Sequence, residues 1–120
     1  TTTSSTSFVD TAITADITPS SASNKVMVFV TIAGITAPSS LSAVIFGLFR
    51  DASEIAGCNN FLFDQTAPAN AEFSISKLDS PSSISSVTYL VKFKNREVNA
   101  IDVNTYTGDD STITLMEIAG

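Results

Sequence analysis

The sequence predicts an all-β protein, a β-sandwich of about eight short antiparallel strands connected as a jelly roll or a Greek key. Short apolar runs alternate along the chain with clusters of Ser, Pro, Gly, Asn and Asp, which is the pattern of strands separated by turns. No stretch repeats its apolar residues at the 3.6-residue period of a helix, and the density of Ser, Thr and Val disfavours helix further. The length of 120 residues suits one compact domain.

The domain is predicted over residues 8–120, behind a flexible N-terminal arm or linker over residues 1–7. That lead reads TTTSSTS, a low-complexity stretch without a single apolar residue. Terminal segments of this composition are typically extended or mobile. The chain opens on Thr rather than Met, which suggests a processed product or a fragment of a longer protein.

Two predicted strands, residues 25–33 and 42–50, are apolar on both faces. In the first, Val28 and Val30 alternate with Met27 and Phe29. Such a strand is either central in a sandwich or buried against another subunit. Because a sandwich of this size has a single core, we interpret the surplus of apolar residues as the interface of a homo-oligomer. The alternative is that both strands are central and are covered by loops.

In the other predicted strands, the alternation of apolar and polar residues indicates that one face is buried and the other is exposed. Residues 87–94 alternate most clearly, with Val, Tyr, Val and Phe on one face and Thr, Leu and two Lys on the other. Any helix would be a single turn near residues 51–55. The remaining predicted strands are residues 9–18, 54–58, 61–63, 71–78, 98–105 and 112–118.

The composition excludes several classes of function. The chain has no His and one Cys, so it can build neither a His-dependent catalytic triad, nor a His metal cluster, nor a disulfide framework. Six basic against twelve acidic residues disfavour nucleic-acid binding. No apolar run approaches the length of a membrane span. We therefore predict a non-enzymatic protein with no cofactor, no metal, no nucleic-acid partner and no membrane insertion.

One group of acidic and amide residues is the best candidate for a cation site: Asp102, Asn104, Gly108, Asp109 and Asp110. Their spacing does not match an EF-hand loop, which needs Gly at its sixth position and Glu at its twelfth. A looser Ca²⁺ site in a β-loop is one interpretation. The favoured one is a polar hairpin turn, in which Asp and Gly supply the backbone geometry.

Two charged features are each open to two interpretations. Lys92, Lys94 and Arg96 share one strand face. One interpretation is a stripe of cations that faces an anion or a sugar. The preferred one is the solvent-exposed face of an edge strand, where Lys prevents pairing with another strand. Glu117 lies inside the apolar run at residues 113–118. It could pair with Arg50 or Lys92, or stand in water at a strand end, and a structural role is favoured.

A candidate receptor or partner surface combines two aromatic residues with neighbouring amides and a carboxylate: Asn59, Asn60, Phe61, Phe63 and Asp64. Carbohydrate sites use aromatic platforms surrounded by such polar groups. The chain has no Trp, the usual sugar-stacking residue. The competing interpretation is that Phe61 and Phe63 share one strand face and belong to the core or to a subunit contact.

The order of the motifs resembles a small β domain of tailed-phage virion proteins, common in predicted tail-fibre and related structural proteins of cyanophages and other marine phages. The likeness extends from Phe8 to Gly120, and no catalytic residue belongs to the family pattern. The segments that carry it are ITPSS at residues 17–21, KVMV at 25–28, LFRD at 48–51, LDSP at 78–81 and TITLMEI at 112–118.

This resemblance implies a virion protein on the surface of a phage particle. The expected function is a tail-fibre or receptor-binding module that attaches to host-surface glycan as a homotrimer, with other virion proteins as further partners. The alternative is a capsid decoration or cement protein that stabilises the phage head, its trimers locking neighbouring capsomers through residues 1–7 and their apolar faces.

Overall fold

The computed structural model describes residues 1–37, 42–63, 69–96, 100–103, 108 and 110–120, with residues 42, 58–63 and 69 described by their backbone alone. Within these residues the chain forms β-strands and no helix. The strands are β1 (Thr2–Thr3), β2 (Val9–Ile17), β3 (Lys25–Ala37), β4 (Ser42–Arg50), β5 (Ser53–Phe63), β6 (Ala69–Asp79), β7 (Val87–Asn95), β8 (Ile101–Asp102) and β9 (Thr112–Ile118).

The strands form two antiparallel sheets that pack face to face, which confirms the predicted sandwich. Sheet I has the order β1-β8-β3-β6, and β9 lies end to end with β8 along the same edge of β3. Sheet II has the order β2-β7-β4-β5. The pairs β1–β8, β2–β7, β3–β6 and β4–β5 are nested, like one long hairpin wound around itself, which is the connectivity of a jelly roll.

Most predicted strands lie where the alternation placed them, and four predictions need correction. The strand predicted over residues 25–33 continues to Ala37, with a register shift between Ile32 and Ile35, and in the described part of the strand predicted over residues 98–105 only Ile101–Asp102 form a strand. The one-turn helix near residues 51–55 is wrong, because Asp51 takes a left-handed φ of 51° in a tight turn and β5 begins at Ser53. The two short strands predicted over residues 54–63 are one continuous strand. A pair of offsets in the β4–β5 register keeps that longer strand paired.

Residues 1–7 contain β1 and join the two sheets. The Thr1 ammonium donates to the Val103 carbonyl at 2.9 Å, and the Val103 amide donates to the Thr1 carbonyl at 2.8 Å. Farther along, the Asn95 amide of β7 donates to the Ser5 carbonyl at 2.7 Å. This segment therefore pairs with sheet I and then crosses to sheet II, while its flexibility stays a prediction.

The core between the sheets is built from the alternating residues of β2, β3, β4, β6 and β7. Phe46 lies at its centre, stacked on Phe73 of the opposite sheet and on Phe93 of its own, with ring centroids 5.5 Å and 6.2 Å apart. Phe46 and Phe93 are fully buried. Truncating a buried Phe of this kind typically costs about 3–5 kcal/mol, so this stack is a main source of the fold's stability.

The strands that are apolar on both faces, β3 and β4, are both internal in their sheets, as the second interpretation of the sequence required. Their inner faces form the core. The outer face of β4 is covered, since Phe49 is only 8% exposed. The outer face of β3 is open, because Phe29 is 42% exposed. The expectation of a second buried surface is therefore kept for β3 alone.

A buried polar network joins the sheets at the end where β4, β6 and β9 finish. Asp79 of β6 accepts hydrogen bonds from Arg50 Nη1 at 2.6 Å and from the Tyr89 hydroxyl at 2.7 Å. Burial raises the pKa of Tyr89, and the hydrogen bond to Asp79 raises it further. The same carboxylate holds the pKa of Arg50 above its ordinary value. Each of these three side chains thus has a hydrogen-bond partner for a polar group that would be costly to bury without one.

We expect Tyr89→Phe to lower the free energy of unfolding by about 2 kcal/mol at pH 7, because it removes a buried hydrogen bond to a charged acceptor. The raised pKa means that the unfolded state loses the Tyr89 proton first. The contribution is complete below pH ~10, the ordinary Tyr pKa, and is lost as pH rises through the folded value. Urea unfolding at pH 7 and pH 10.5 measures both effects, and equal stabilities at pH 7 would contradict the role of the network.

Candidate functional site

The predicted receptor surface lies at the end of β5 that is remote from the 51–52 turn. Asn59, Asn60, Phe61 and Phe63 belong to this strand, where the backbone of Asn60 pairs with Ile45 and that of Phe61 with Val44. Asp64 lies outside the described residues. The strand thus brings four of the five predicted residues into one continuous segment, and their role in binding stays a prediction.

The lysine stripe is not on an edge strand, so the favoured interpretation of Lys92 and Lys94 is wrong. Both residues lie on the outer face of β7, and β7 is paired on both sides, with β2 and with β4. The Lys94 ammonium stands 4.5 Å from the centroid of the Phe8 ring, and the Lys92 ammonium stands 4.9 Å from that of Phe49. The two lysines therefore pack over aromatic rings and do not protect the edge of a sheet.

These rings form a cover over the outer face of β4, which we call the Phe8 cover: Phe8, Gly47, Phe49, Lys92 and Lys94. Phe8 meets Phe49 edge to face, with centroids 5.3 Å apart. Gly47 makes room for the pair, because a Cβ at this position would lie 2.8 Å from the Phe49 ring and 3.2 Å from the Phe8 ring. A side chain at residue 47 would push the aromatic rings off the sheet.

The contacts within the Phe8 cover have a structural role. Lys92 is engaged on two sides, since its ammonium also lies 3.7 Å from an oxygen of Asp10. A cation over an aromatic face contributes about 0.5–1 kcal/mol at an exposed site. Sequence reasoning missed Phe8 and Gly47. A glycine inside a strand that is otherwise apolar on both faces is the signal that could have indicated a close approach there.

A small hollow beside this cover lies at a bulge in β2, where the register shifts between Asp10 and Thr14 and Ala12 takes a φ of 67°. Its volume is about 140 Å³. Ligand pockets usually measure ~300–1,000 Å³, so this hollow is too small for a sugar or a cofactor. It is lined by Asp10, Ala12, Ile13, Thr14, Leu90 and Val91.

Glu117 of β9 accepts hydrogen bonds from the β2–β3 loop, residues 18–24. Its Oε1 accepts hydrogen bonds from the Ser20 amide at 2.6 Å, the Ser20 hydroxyl at 2.9 Å and the Asn24 side-chain amide at 2.8 Å. These donors lower the pKa of Glu117, the Asn24 amide contributing most. Neither predicted cation partner is used here, because Arg50 pairs with Asp79 and Lys92 with Asp10.

Two of the five residues of the candidate cation site, Asn104 and Asp109, lie outside the described residues. Asp102 lies in β8 and accepts a hydrogen bond from the Thr2 hydroxyl. Gly108 takes a φ of 98°, the left-handed conformation that a polar turn requires. Among the described residues, no group of three or more Cys, Asp and Glu is placed to hold a metal ion.

Four of the five exposed large apolar side chains among the described residues lie on the outer side of sheet I, where β6, β3 and β9 lie side by side. Met27 stands directly between Leu78 and Met116, and Phe29 between Ser76 and Thr114. We call this surface the open face. Its eleven outward positions are Lys25, Met27, Phe29, Thr31, Ser74, Ser76, Leu78, Thr112, Thr114, Met116 and Ile118.

No protein-family model matches this chain, and no curated protein matches it significantly. In the part of the chain that the structure describes, no helix is long and apolar enough to cross a membrane.

We expect Gly47→Ala to lower the free energy of unfolding by about 1–3 kcal/mol, the usual range for overpacking a tight site. Gly57 is the matched control, because it pairs with Gly47 across β4 and β5 and a Cβ there would meet only Glu54 Oε1, at 3.7 Å. Thermal unfolding should place Gly57→Ala within ~0.5 kcal/mol of the parent. Equal effects of the two substitutions would show that the Phe8 cover is loose.

We expect Glu117→Gln to lower the melting temperature at pH 7, because the amide oxygen replaces a charged acceptor of three hydrogen bonds. A lowered folded-state pKa adds stability above the ordinary Glu pKa of about 4.3, and this is lost as pH falls through the folded value. The difference between parent and variant should therefore shrink between pH 5 and pH 3. Glu72→Gln, at an exposed position of β6, is the control and should show no such trend.

Proposed function

We propose that this chain is a non-enzymatic structural protein of a tailed-phage virion, a tail-fibre or receptor-binding module that acts as a homotrimer on the particle surface. Its partners would be host-surface glycan and other virion proteins, without nucleic acid or membrane insertion. The resemblance of the ordered motifs to the phage domain supports the virion class. The jelly-roll sandwich is compatible with it, since such a fold serves equally as a binding and an assembly module.

The observation that most supports assembly is the open face. Its exposed apolar side chains include Phe29 and Met116, on a molecule with a net charge of −6. Contiguous apolar surface of this kind typically marks a protein–protein interaction site. An assembly of three copies would present three identical receptor surfaces on a rigid frame, and linked weak sites gain avidity without any new contact.

Non-enzymatic function is supported by what the described residues are used for. The carboxylates of Asp79 and Glu117 are committed to structural hydrogen bonds. The lysines of β7 are committed to aromatic rings. Each of these side chains therefore has a structural partner, which supports a structural role for it.

Capsid decoration is the second candidate. In that version residues 1–7 would lock neighbouring capsomers, yet β1 and Ser5 already bond to β8 and β7 within the same chain. A decoration protein would have to give up these bonds or use its apolar surface instead. This internal use of the segment favours the attachment module over the arm-locking version.

An array of bacterial lipopolysaccharides and capsular polysaccharides tests the attachment function. We expect the purified chain to bind a subset of the glycans, and we expect Asn60→Ala and Phe61→Ala to weaken that binding at least tenfold. Ile84→Ala is the matched control, because Ile84 is 66% exposed in the β6–β7 loop at the opposite end of the sandwich. Retained folding of each variant is checked by circular dichroism.

Two results would contradict the attachment function. One is the absence of binding to every glycan on the array. The other is saturable, stoichiometric binding to phage heads stripped of their decoration protein, which would favour the capsid alternative.

A further inference from the structure

The open face differs in composition from the rest of the molecule. Of its eleven outward positions, five are apolar, five are Ser or Thr, and Lys25 is the only charged residue. The chain has twelve acidic residues, and none of them is at these eleven positions, although Glu72 lies on the same side of β6, two residues beyond Ser74 at the end of the face away from Leu78. Both methionines of the chain, Met27 and Met116, lie directly opposite each other here. Interface cores show this same depletion of charge and enrichment of Met and aromatic residues.

The exposed apolar area of the face is substantial. If each side chain offers ~200 Å², the four most exposed ones leave on the order of 350–400 Å² of apolar surface to solvent. One partner of a standard interface buries ~800 Å², of which a little over half is apolar. The face therefore supplies nearly all the apolar core that one such interface needs. The side chains are Met116 at 53%, Leu78 at 46%, Phe29 at 42% and Ile118 at 38% exposure.

Charge favours another copy of this chain at the open face. Two copies with a net charge of −6 repel each other through most of their surfaces. On the open face this repulsion is weak, because none of its eleven outward positions is a carboxylate and Glu72 lies beyond its end. Desolvation is also cheap, since the polar positions are uncharged hydroxyls apart from Lys25 at the end of the face.

The width of the face fits a threefold arrangement. Where β6, β3 and β9 lie side by side, sheet I is three strands wide, or about 14 Å at ~4.8 Å per strand. Three faces of that width around an axis stand about 4 Å from it, close to half of the ~10 Å between packed sheets. In this arrangement the β6 edge of one copy meets the β9 edge of the next, so Leu78 approaches Met116 of the neighbour.

We propose that three copies associate through the open face of sheet I, with the strands β6, β3 and β9 of each copy lining one triangular apolar core. This rests on the homotrimer of the proposed function and adds the surface that forms it. Phe29 and Met27 lie nearest the axis, and Leu78, Met116 and Ile118 close the corners.

Mass measurement by sedimentation or light scattering tests the surface. The parent should have three times the monomer mass of 12.6 kDa. Met116→Glu and Leu78→Glu place a charge at exposed positions, where the monomer fold tolerates it, and should each reduce the mass to that of one chain. Ile84→Glu is the matched control, because Ile84 is equally apolar and more exposed but lies in the β6–β7 loop instead of on the strands of the face, and it should remain trimeric.

A crosslink tests the arrangement. With Cys58→Ser as background, the double substitution Leu78→Cys and Met116→Cys should give covalent trimers on oxidation, because each bond joins neighbouring copies around the axis. Covalent dimers as the end product would show a flat two-fold stack and overturn the threefold arrangement.

The outcomes separate this inference from the proposed function. A trimeric parent whose mass is unchanged by Met116→Glu and Leu78→Glu overturns the open face as the interface and leaves the homotrimer intact. A parent that is monomeric at millimolar concentration overturns this inference and the homotrimer together. Loss of glycan binding in a variant that stays trimeric bears on the attachment function alone.

Discussion

β3 and β4 are internal strands that are apolar on both faces, so each has two apolar surfaces to bury, and the organisation of the molecule depends on how each surface is buried. Burial of apolar surface contributes roughly 25 cal/mol per Å², so an uncovered strand face forfeits several kcal/mol. The inner faces of β3 and β4 cover each other across the sandwich, with Phe46 at the centre of the contact. Their outer faces differ, because that of β4 is covered within the chain and that of β3 stays exposed.

For β4 the solution lies within the chain. The N-terminal segment pairs with sheet I through β1, crosses to sheet II and places Phe8 over Gly47, while two lysines of β7 close over the aromatic rings. For β3 no equivalent contact is seen among the described residues, and Phe29 and Met116 stay exposed. This asymmetry between two otherwise similar strands is the physical reason for expecting a partner on sheet I rather than on sheet II.

At the end of the sandwich where β4, β6 and β9 finish, hydrogen bonds to charged groups join the strands and the β2–β3 loop. Asp79 ties β6 to Arg50 and Tyr89 of the opposite sheet, and Glu117 ties β9 to the loop that enters β3. Charge-assisted hydrogen bonds of this type are roughly twice as strong as neutral ones. These bonds hold the ends of β4 and β6 together and hold the β2–β3 loop against β9.

The sequence by itself determined the strands, because side-chain alternation is a local property of the backbone. It predicted β4 and β9 with their observed bounds and indicated the sandwich class. Only the tertiary structure decided that β7 is internal, that Met27 meets Met116, and that Glu117 bonds a loop instead of a cation. These outcomes depend on which strands pair and in which register, and pairing joins residues up to a hundred positions apart that no local pattern relates.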